Sequence, residues 1–277
     1  MNFVNITRQE KVPALGMGTW RMGERRALHD EEIRSLQRGI ELGMSLIDTA
    51  EMYGDGAAET LVGEAIAGRR DKVFLVSKVY PQNATARGTL QACERSLARL
   101  ATDHLDLYLL HWRGNVPLAE TVSAFERLQR DGKIRHWGVS NLDCADLDEL
   151  CAAPGGDRVA ANQVLYNLTR RSIEWDLLPW CAKRRIAVMA YSPVEQAALL
   201  RDPQLRALAT RIGRSPVQLA LAWVLSHDKV IAIPKAGQLA HVDENFSAAE
   251  CTLDAQVLAE LDKIFPPPHR ARPLEML

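Results

Sequence analysis

Short apolar runs alternate with longer amphipathic stretches along the whole chain, the pattern of a parallel sheet whose strands are joined by crossover helices. Eight runs read as strands: 14–18, 45–48, 73–78, 106–111, 136–140, 161–163, 187–191 and 230–234. Helical periodicity covers 31–42, 59–67, 85–100, 118–131, 145–152, 173–184, 216–226 and 241–248. The stretch 85–100 shows the logic. Leu90, Cys93, Leu97 and Leu100 recur at steps of three and four, while Arg87, Glu94, Arg95 and Arg99 take the other side. Eight such units predict a closed (β/α)8 barrel of the TIM type, an α/β fold with its reactive groups at the C-terminal ends of the strands. Two stretches fall outside the repeat: 3–13, read as an N-terminal β-hairpin closing the barrel bottom, and an extra C-terminal helix over 254–265. Pro266, Pro267 and Pro268 end that helix because their rings cannot continue it. Nothing in the pattern divides the chain, so 1–277 is expected to form one domain.

Composition narrows the function. The 34 Lys and Arg against 35 Asp and Glu leave a formal charge of -1, which offers no global attraction to nucleic acid or an anionic membrane. Cys93, Cys144, Cys151, Cys181 and Cys251 form no CxxC or Cys/His ligand spacing, and the seven His form no HxH or HExxH, so no metal site is expected. Unpaired thiols fit a reducing compartment. Arg8, Glu10 and Lys11 stand where a signal peptide needs an apolar core, and no window reaches a membrane-spanning length, so a bacterial cytoplasmic location is expected. No heptad or long apolar face points to self-association, so a monomer is expected and a dimer stays open.

The strand ends carry unusual polarity: Asp48, Lys78, His111, Ser140 with Asn141, Gln163, Tyr191 and Lys235. Ser140 and Asn141 alone would be ordinary turn residues. Lys78 and His111 directly end apolar runs and need another explanation. A tyrosine has a pKa of about 10, too high for efficient proton transfer near neutrality unless its phenolate is stabilised. Lys78, oriented by Asp48, would lower the pKa of Tyr53, while His111 polarises a substrate carbonyl. The reaction class is proton donation coupled to hydride transfer. A lyase using Lys78 as a Schiff-base amine is a competing reading, and a nicotinamide-binding scaffold or regulatory protein is another. Gly16-Met17-Gly18-Thr19-Trp20 lacks the third glycine of a dinucleotide-binding turn, so the cofactor has to lie elsewhere.

Asp48-Thr49-Ala50-Glu51-Met52-Tyr53, followed by Glu59-Thr60-Leu61-Val62-Gly63, resembles the signature of the aldo-keto reductases. The strand ends Ser77-Lys78 and Leu110-His111-Trp112 continue the resemblance, as do Gly132 to Asn141, Asn162-Gln163, Ala190-Tyr191-Ser192-Pro193, Ile233-Pro234-Lys235-Ala236 and Glu244-Asn245. These blocks run in colinear order over essentially the whole chain. The resemblance implies a catalytic tetrad of Asp48, Tyr53, Lys78 and His111. Tyr53 is then the acid in reduction and the base in oxidation. It implies that Tyr191 stacks on a nicotinamide ring whose carboxamide meets Ser140, Asn141 and Gln163, with Gly18, Thr19, Trp20 and Ser192 also against the cofactor. Lys235, Ala236, His241, Glu244 and Asn245 would hold the adenosine end. Lys235 and the resemblance imply NADPH, and because many NADPH-specific relatives have Ser and Arg where this chain has Ala236 and His241, NADH use stays open. Trp20, Tyr80 and Trp112 are expected to wall a pocket for small carbonyl compounds. The resemblance is closest in appearance to small bacterial reductases of methylglyoxal and other aldehydes.

Overall fold

A computed structural model describes residues 1–277. An antiparallel pair, β1 (Phe3–Asn5) and β2 (Lys11–Pro13), stands apart from the main sheet. The main sheet has eight parallel strands: β3 (Met17–Gly18), β4 (Leu46–Asp48), β5 (Phe74–Val79), β6 (Leu105–Leu110), β7 (Ile134–Ser140), β8 (Ala161–Leu165), β9 (Ala187–Tyr191) and β10 (Val230–Ala232). Each strand pairs with the next in sequence order. Gly18 lies in register with Asp48, Lys78 with Leu109, and Ser140 with Gln163, so strand ends that are far apart in sequence share one rim. Isolated parallel bridges from Leu15 to Ala232 and from Gly18 to Lys235 bring the first and last strands together, which closes the barrel as the repeat predicts. A Cβ on Gly18 would lie 2.8 Å from the Ile233 carbonyl oxygen, so this seam admits no side chain there.

Helices α1 (His29–Glu41), α2 (Ala57–Ile66), α3 (Ala86–Leu100), α4 (Leu118–Arg130), α5 (Cys144–Ala152), α6 (Leu177–Arg184), α7 (Pro203–Arg211), α8 (Pro216–Leu225), α9 (Leu239–Ala248) and α10 (Ala255–Ile264) complete the order. Apart from Arg135 and His136 in β7 and Tyr191 in β9, the strands of the main sheet are buried on both faces. One apolar layer lies between sheet and helices, and a second, including Leu46, Val76, Leu107, Leu109, Met189 and Ile231, fills the barrel interior. Helix starts follow local chemistry. Thr85 accepts from the Gly88 amide to begin α3, and Ser215 with Gln218 forms a reciprocal capping box at α8.

The structure adds one element to the predicted set. Helix α7 lies between β9 and α8; Asp202 accepts from the Gln204 and Leu205 amides, and Pro203 takes the first helical position. The helix buries Leu205, Leu208 and Ala209 against the core. The helix predicted from residue 173 begins at Leu177 instead, because Asp176 caps that point and a separate turn covers Ser172–Glu174. No helix is long and apolar enough to cross a membrane.

Candidate active site

Asp48 ends β4, Lys78 lies one residue from the end of β5, and His111 directly follows β6. Tyr53 opens a tight turn over Tyr53–Gly56 in which Gly54, Asp55 and Gly56 all have positive φ, folding the loop back over the rim. The Lys78 Nζ donates three hydrogen bonds: to Asp48 Oδ2 at 2.8 Å, to the Thr49 carbonyl at 2.9 Å and to the Tyr53 hydroxyl at 3.0 Å. An ammonium has three protons, so this one is fully committed. Because Tyr53 accepts from Lys78, its own proton is free to donate elsewhere. The His111 ring stands edge-on to the Tyr53 ring with centroids 5.8 Å apart.

The electrostatics divide the labour. Burial pushes the Tyr53 hydroxyl above its ordinary value. Lys78 pulls it down by charge and hydrogen bond, but Asp48 pushes it up again, and the net direction is upward. This corrects the expectation that Lys78 lowers the value outright: the ammonium acts in that direction, but desolvation of the phenolate outweighs it. Tyr53 therefore holds its proton at neutrality, the state a donor needs. Lys78 is raised as well: burial disfavours its charge, but Asp48 and Tyr53 more than offset that. His111 is pushed down to about 2 by burial, with Lys78 acting in the same direction, so its ring is neutral. The His111 Nδ1 is buried without a partner.

Gln163 lies buried at the same rim, but its amide Nε2 donates to Asp48 Oδ1 at 2.7 Å. Its Oε1 accepts no bond from the protein. Asn141, in the left-handed region at φ 58, donates to the His111 carbonyl and to Ser140 Oγ, and accepts from the Tyr191 hydroxyl at 3.1 Å. Tyr191 is half-buried, and burial pushes its hydroxyl up to about 12. Thr19 donates from Oγ1 to the Asp48 carbonyl, fixing the loop that carries Trp20, which is 37% exposed with the Arg21 guanidinium stacked on its ring. Tyr80, His111 and Trp112 form a continuous aromatic group with centroid separations of 4.8–6.3 Å. Lys235 is exposed, its nearest carboxylate being the buried Glu32 at 3.9 Å. Ala236 is buried, His241 exposed, Glu244 half-buried and Asn245 buried on α9. Ser192 is in the left-handed region, as are Glu195, Gln196 and Ala197 beyond it.

Sequence reasoning missed Glu51. Its buried carboxylate accepts from the Tyr80 amide at 2.8 Å and from Asn83 Nδ2 at 3.0 Å, which places the Tyr80 ring. It also missed Arg170, which bridges Glu195 in the loop after β9 and Glu275 in the C-terminal tail. The neighbouring Arg171 ties Glu174, Asp262 and the Phe265 carbonyl together. Charge alone gave little signal for either arginine: Glu174 lies three residues from Arg171, but Glu195, Asp262 and Glu275 are remote in sequence. Cys93 and Cys181 are pushed up to about 12 by burial and Cys144 to about 11, so these thiols stay protonated.

Residues 14–265 match the family model described as the aldo/keto reductase family. The chain is 54% identical over 279 aligned residues to a methylglyoxal reductase, YeaE, of Escherichia coli, covering 99% of this chain and 98% of that one. It is 31% identical to a glyoxal reductase of Bacillus subtilis, covering 94% of this chain and 92% of the relative. Among solved structures, an aldo/keto reductase from Klebsiella pneumoniae in complex with NADP and acetate superposes with a TM-score of 0.97 at 50% identity, covering 99% of each chain.

Proposed function

The chain belongs to the aldo/keto reductase family and is an oxidoreductase, and on that footing we propose that it reduces methylglyoxal and simple aromatic or aliphatic aldehydes to alcohols with NADPH, Tyr53 donating the proton. Two comparisons support the substrate and cofactor: the close E. coli relative is a methylglyoxal reductase, and the Klebsiella structures hold NADP or NADPH. The donor set suits the cofactor. Gln163 Oε1 is a free acceptor, Ser140 offers a hydroxyl proton, Asn141 Oδ1 keeps a second lone pair, and the half-buried Tyr191 ring lies beside them. Bound NADPH supplies a hydride. Tyr191 would hold the nicotinamide, with Ser140, Asn141 and Gln163 at its carboxamide and Lys235 at the adenosine phosphate.

The residues of this chain do the rest. Neutral His111 donates to the carbonyl oxygen and polarises it without adding a second mobile proton. Tyr53 then transfers its proton to that oxygen. The phenolate left behind faces an ammonium at 3.0 Å that needs no reorientation to stabilise it. Trp20, Tyr80 and Trp112 provide apolar walls that exclude water from a small aldehyde. The observation that carries the reading is the exhaustion of the Lys78 donors, which leaves the Tyr53 proton as the one free to leave.

The experiment is steady-state reduction of methylglyoxal and benzaldehyde by the purified protein with NADPH, followed by absorbance at the nicotinamide band. Tyr53→Phe should lower kcat by about 10²–10⁴-fold with NADP affinity retained. Failure to consume either aldehyde would remove the substrate assignment, and unchanged turnover in Tyr53→Phe would remove the proton donor.

A further inference from the structure

Each oxygen of the Asp48 carboxylate has one dedicated side-chain donor. Oδ2 accepts from Lys78 at 2.8 Å, and Oδ1 accepts from Gln163 Nε2 at 2.7 Å, a contact between residues 115 apart in sequence. Asp48 and Gln163 are each 2% exposed, so no solvent can replace a lost donor without rearrangement. Gln163 is itself held by its strand: it pairs with Ser140 in register, and its carbonyl accepts from the Asn141 amide.

We propose that Gln163 is a positioning residue for proton transfer, acting on Tyr53 through Asp48 and Lys78 by fixing the rotation of the Asp48 carboxylate. The proposal rests on the reading of Tyr53 as the proton donor. With Oδ1 pinned by the amide, Asp48 presents one oxygen to Lys78, and the ammonium divides its three protons among Asp48, Thr49 and Tyr53. Without the amide, Oδ1 is a buried acceptor with no partner, and the carboxylate lowers its energy by turning both oxygens toward the ammonium. That rotation draws Lys78 off the phenol. The other groups facing Tyr53 are His111 and Tyr191, neither of which bonds to Gln163, so the substitution leaves them in place. The same side chain keeps Oε1 free, so one amide joins the rim where the cofactor carboxamide is expected to the carboxylate behind the proton donor.

Gln163→Met removes the donor at nearly the same length, and Gln163→Glu restores one whenever its carboxyl is protonated. Three measurements separate the possibilities: the pH profile of kcat for alcohol oxidation, the dissociation constant for NADP from tryptophan fluorescence, and a pH titration of the ligand-free protein labelled with 13Cζ-tyrosine, with Tyr53→Phe identifying the resonance. Gln163→Met is expected to move the ionisation of Tyr53 in the ligand-free protein and the alkaline-favoured limb of oxidation upward by about half to one pH unit, the transmitted part of one hydrogen bond to a charged group. Oxidation at neutral pH falls by about three- to tenfold. Gln163→Glu regains the wild-type position at the acid end of the profile. If Gln163→Met instead weakens NADP binding while both titrations coincide with wild type, Gln163 acts on the cofactor alone and the proposal falls. If Tyr53→Phe turns over normally, the underlying reading of the donor fails, an outcome distinct from the first.

Discussion

The neutrality of His111 has a consequence for stability that can be measured without substrate. Its folded-state value of about 2 lies far below the ordinary 6.5. The fold therefore favours the neutral ring, and this contribution is fully present above the unfolded value and lost as the pH falls through the range between 6.5 and about 2. Proton linkage between these two values gives a loss of about 2 kcal/mol on going from pH ~8 to pH ~5, rising to roughly 6 kcal/mol where both states are protonated. Two kilocalories correspond to a fall in Tm of about 4–8 °C for a domain of this size class. The assay compares urea denaturation of the wild type and of His111→Gln at the two pH values. The variant has no imidazole to protonate and should lose about 2 kcal/mol less over the same interval. Equal losses would show that the site pays nothing to keep the ring neutral. An imidazole NMR resonance of His111 titrating near 6.5 in the folded protein would refute the reasoning directly.

Replacing Lys78 by Met leaves the Asp48 carboxylate buried without its counter-ion and should cost about 3–5 kcal/mol of stability by denaturant titration; a loss under 1 kcal/mol would contradict the ion pair as described. The double substitution Ala236→Ser with His241→Arg adds a hydroxyl next to Lys235 in sequence and a fixed guanidinium on α9, and should lower KM for NADPH by about tenfold with little change for NADH. An equal effect on both cofactors would place the 2'-phosphate elsewhere. Arg171→Ala removes bonds to Glu174, Asp262 and the Phe265 carbonyl, so the last helix should detach first, seen as faster amide exchange over 255–265 at a cost of about 2–4 kcal/mol. Uniform exchange along the chain would refute it.

The strands were legible because nearly all their residues are buried and they are short, so most read as bounded apolar runs, and because eight of them alternate with amphipathic stretches. Their ends were legible because a lysine or histidine after Val76 or Leu110 has no turn-forming purpose. Helix α7 was missed although it is no shorter than α5 or α6 and Asp202-Pro203 carried a usable start signal. The Gln163 contact with Asp48 was hidden for another reason. Strand order and closure decide which residues share the rim, and these are set by the fold as a whole rather than by the residues around position 163. The same holds for the sign of the shift at Tyr53, which is set by a competition between burial and an ammonium that no residue pattern encodes.

The two bridges that close the barrel, Leu15 to Ala232 and Gly18 to Lys235, join residues more than two hundred positions apart. During synthesis β3 through β9 can assemble while β10 is still inside the ribosome, leaving both β3 and β9 as open edges with unpaired amides and carbonyls. Residues 187–191, an apolar strand with charges only on its N-terminal flank at Lys183, Arg184 and Arg185, then form an exposed edge. The interval between emergence of β9 and emergence of β10 is thus the period of greatest exposure to misassembly, a hazard set by the order of the strands and invisible in the contacts of the finished barrel.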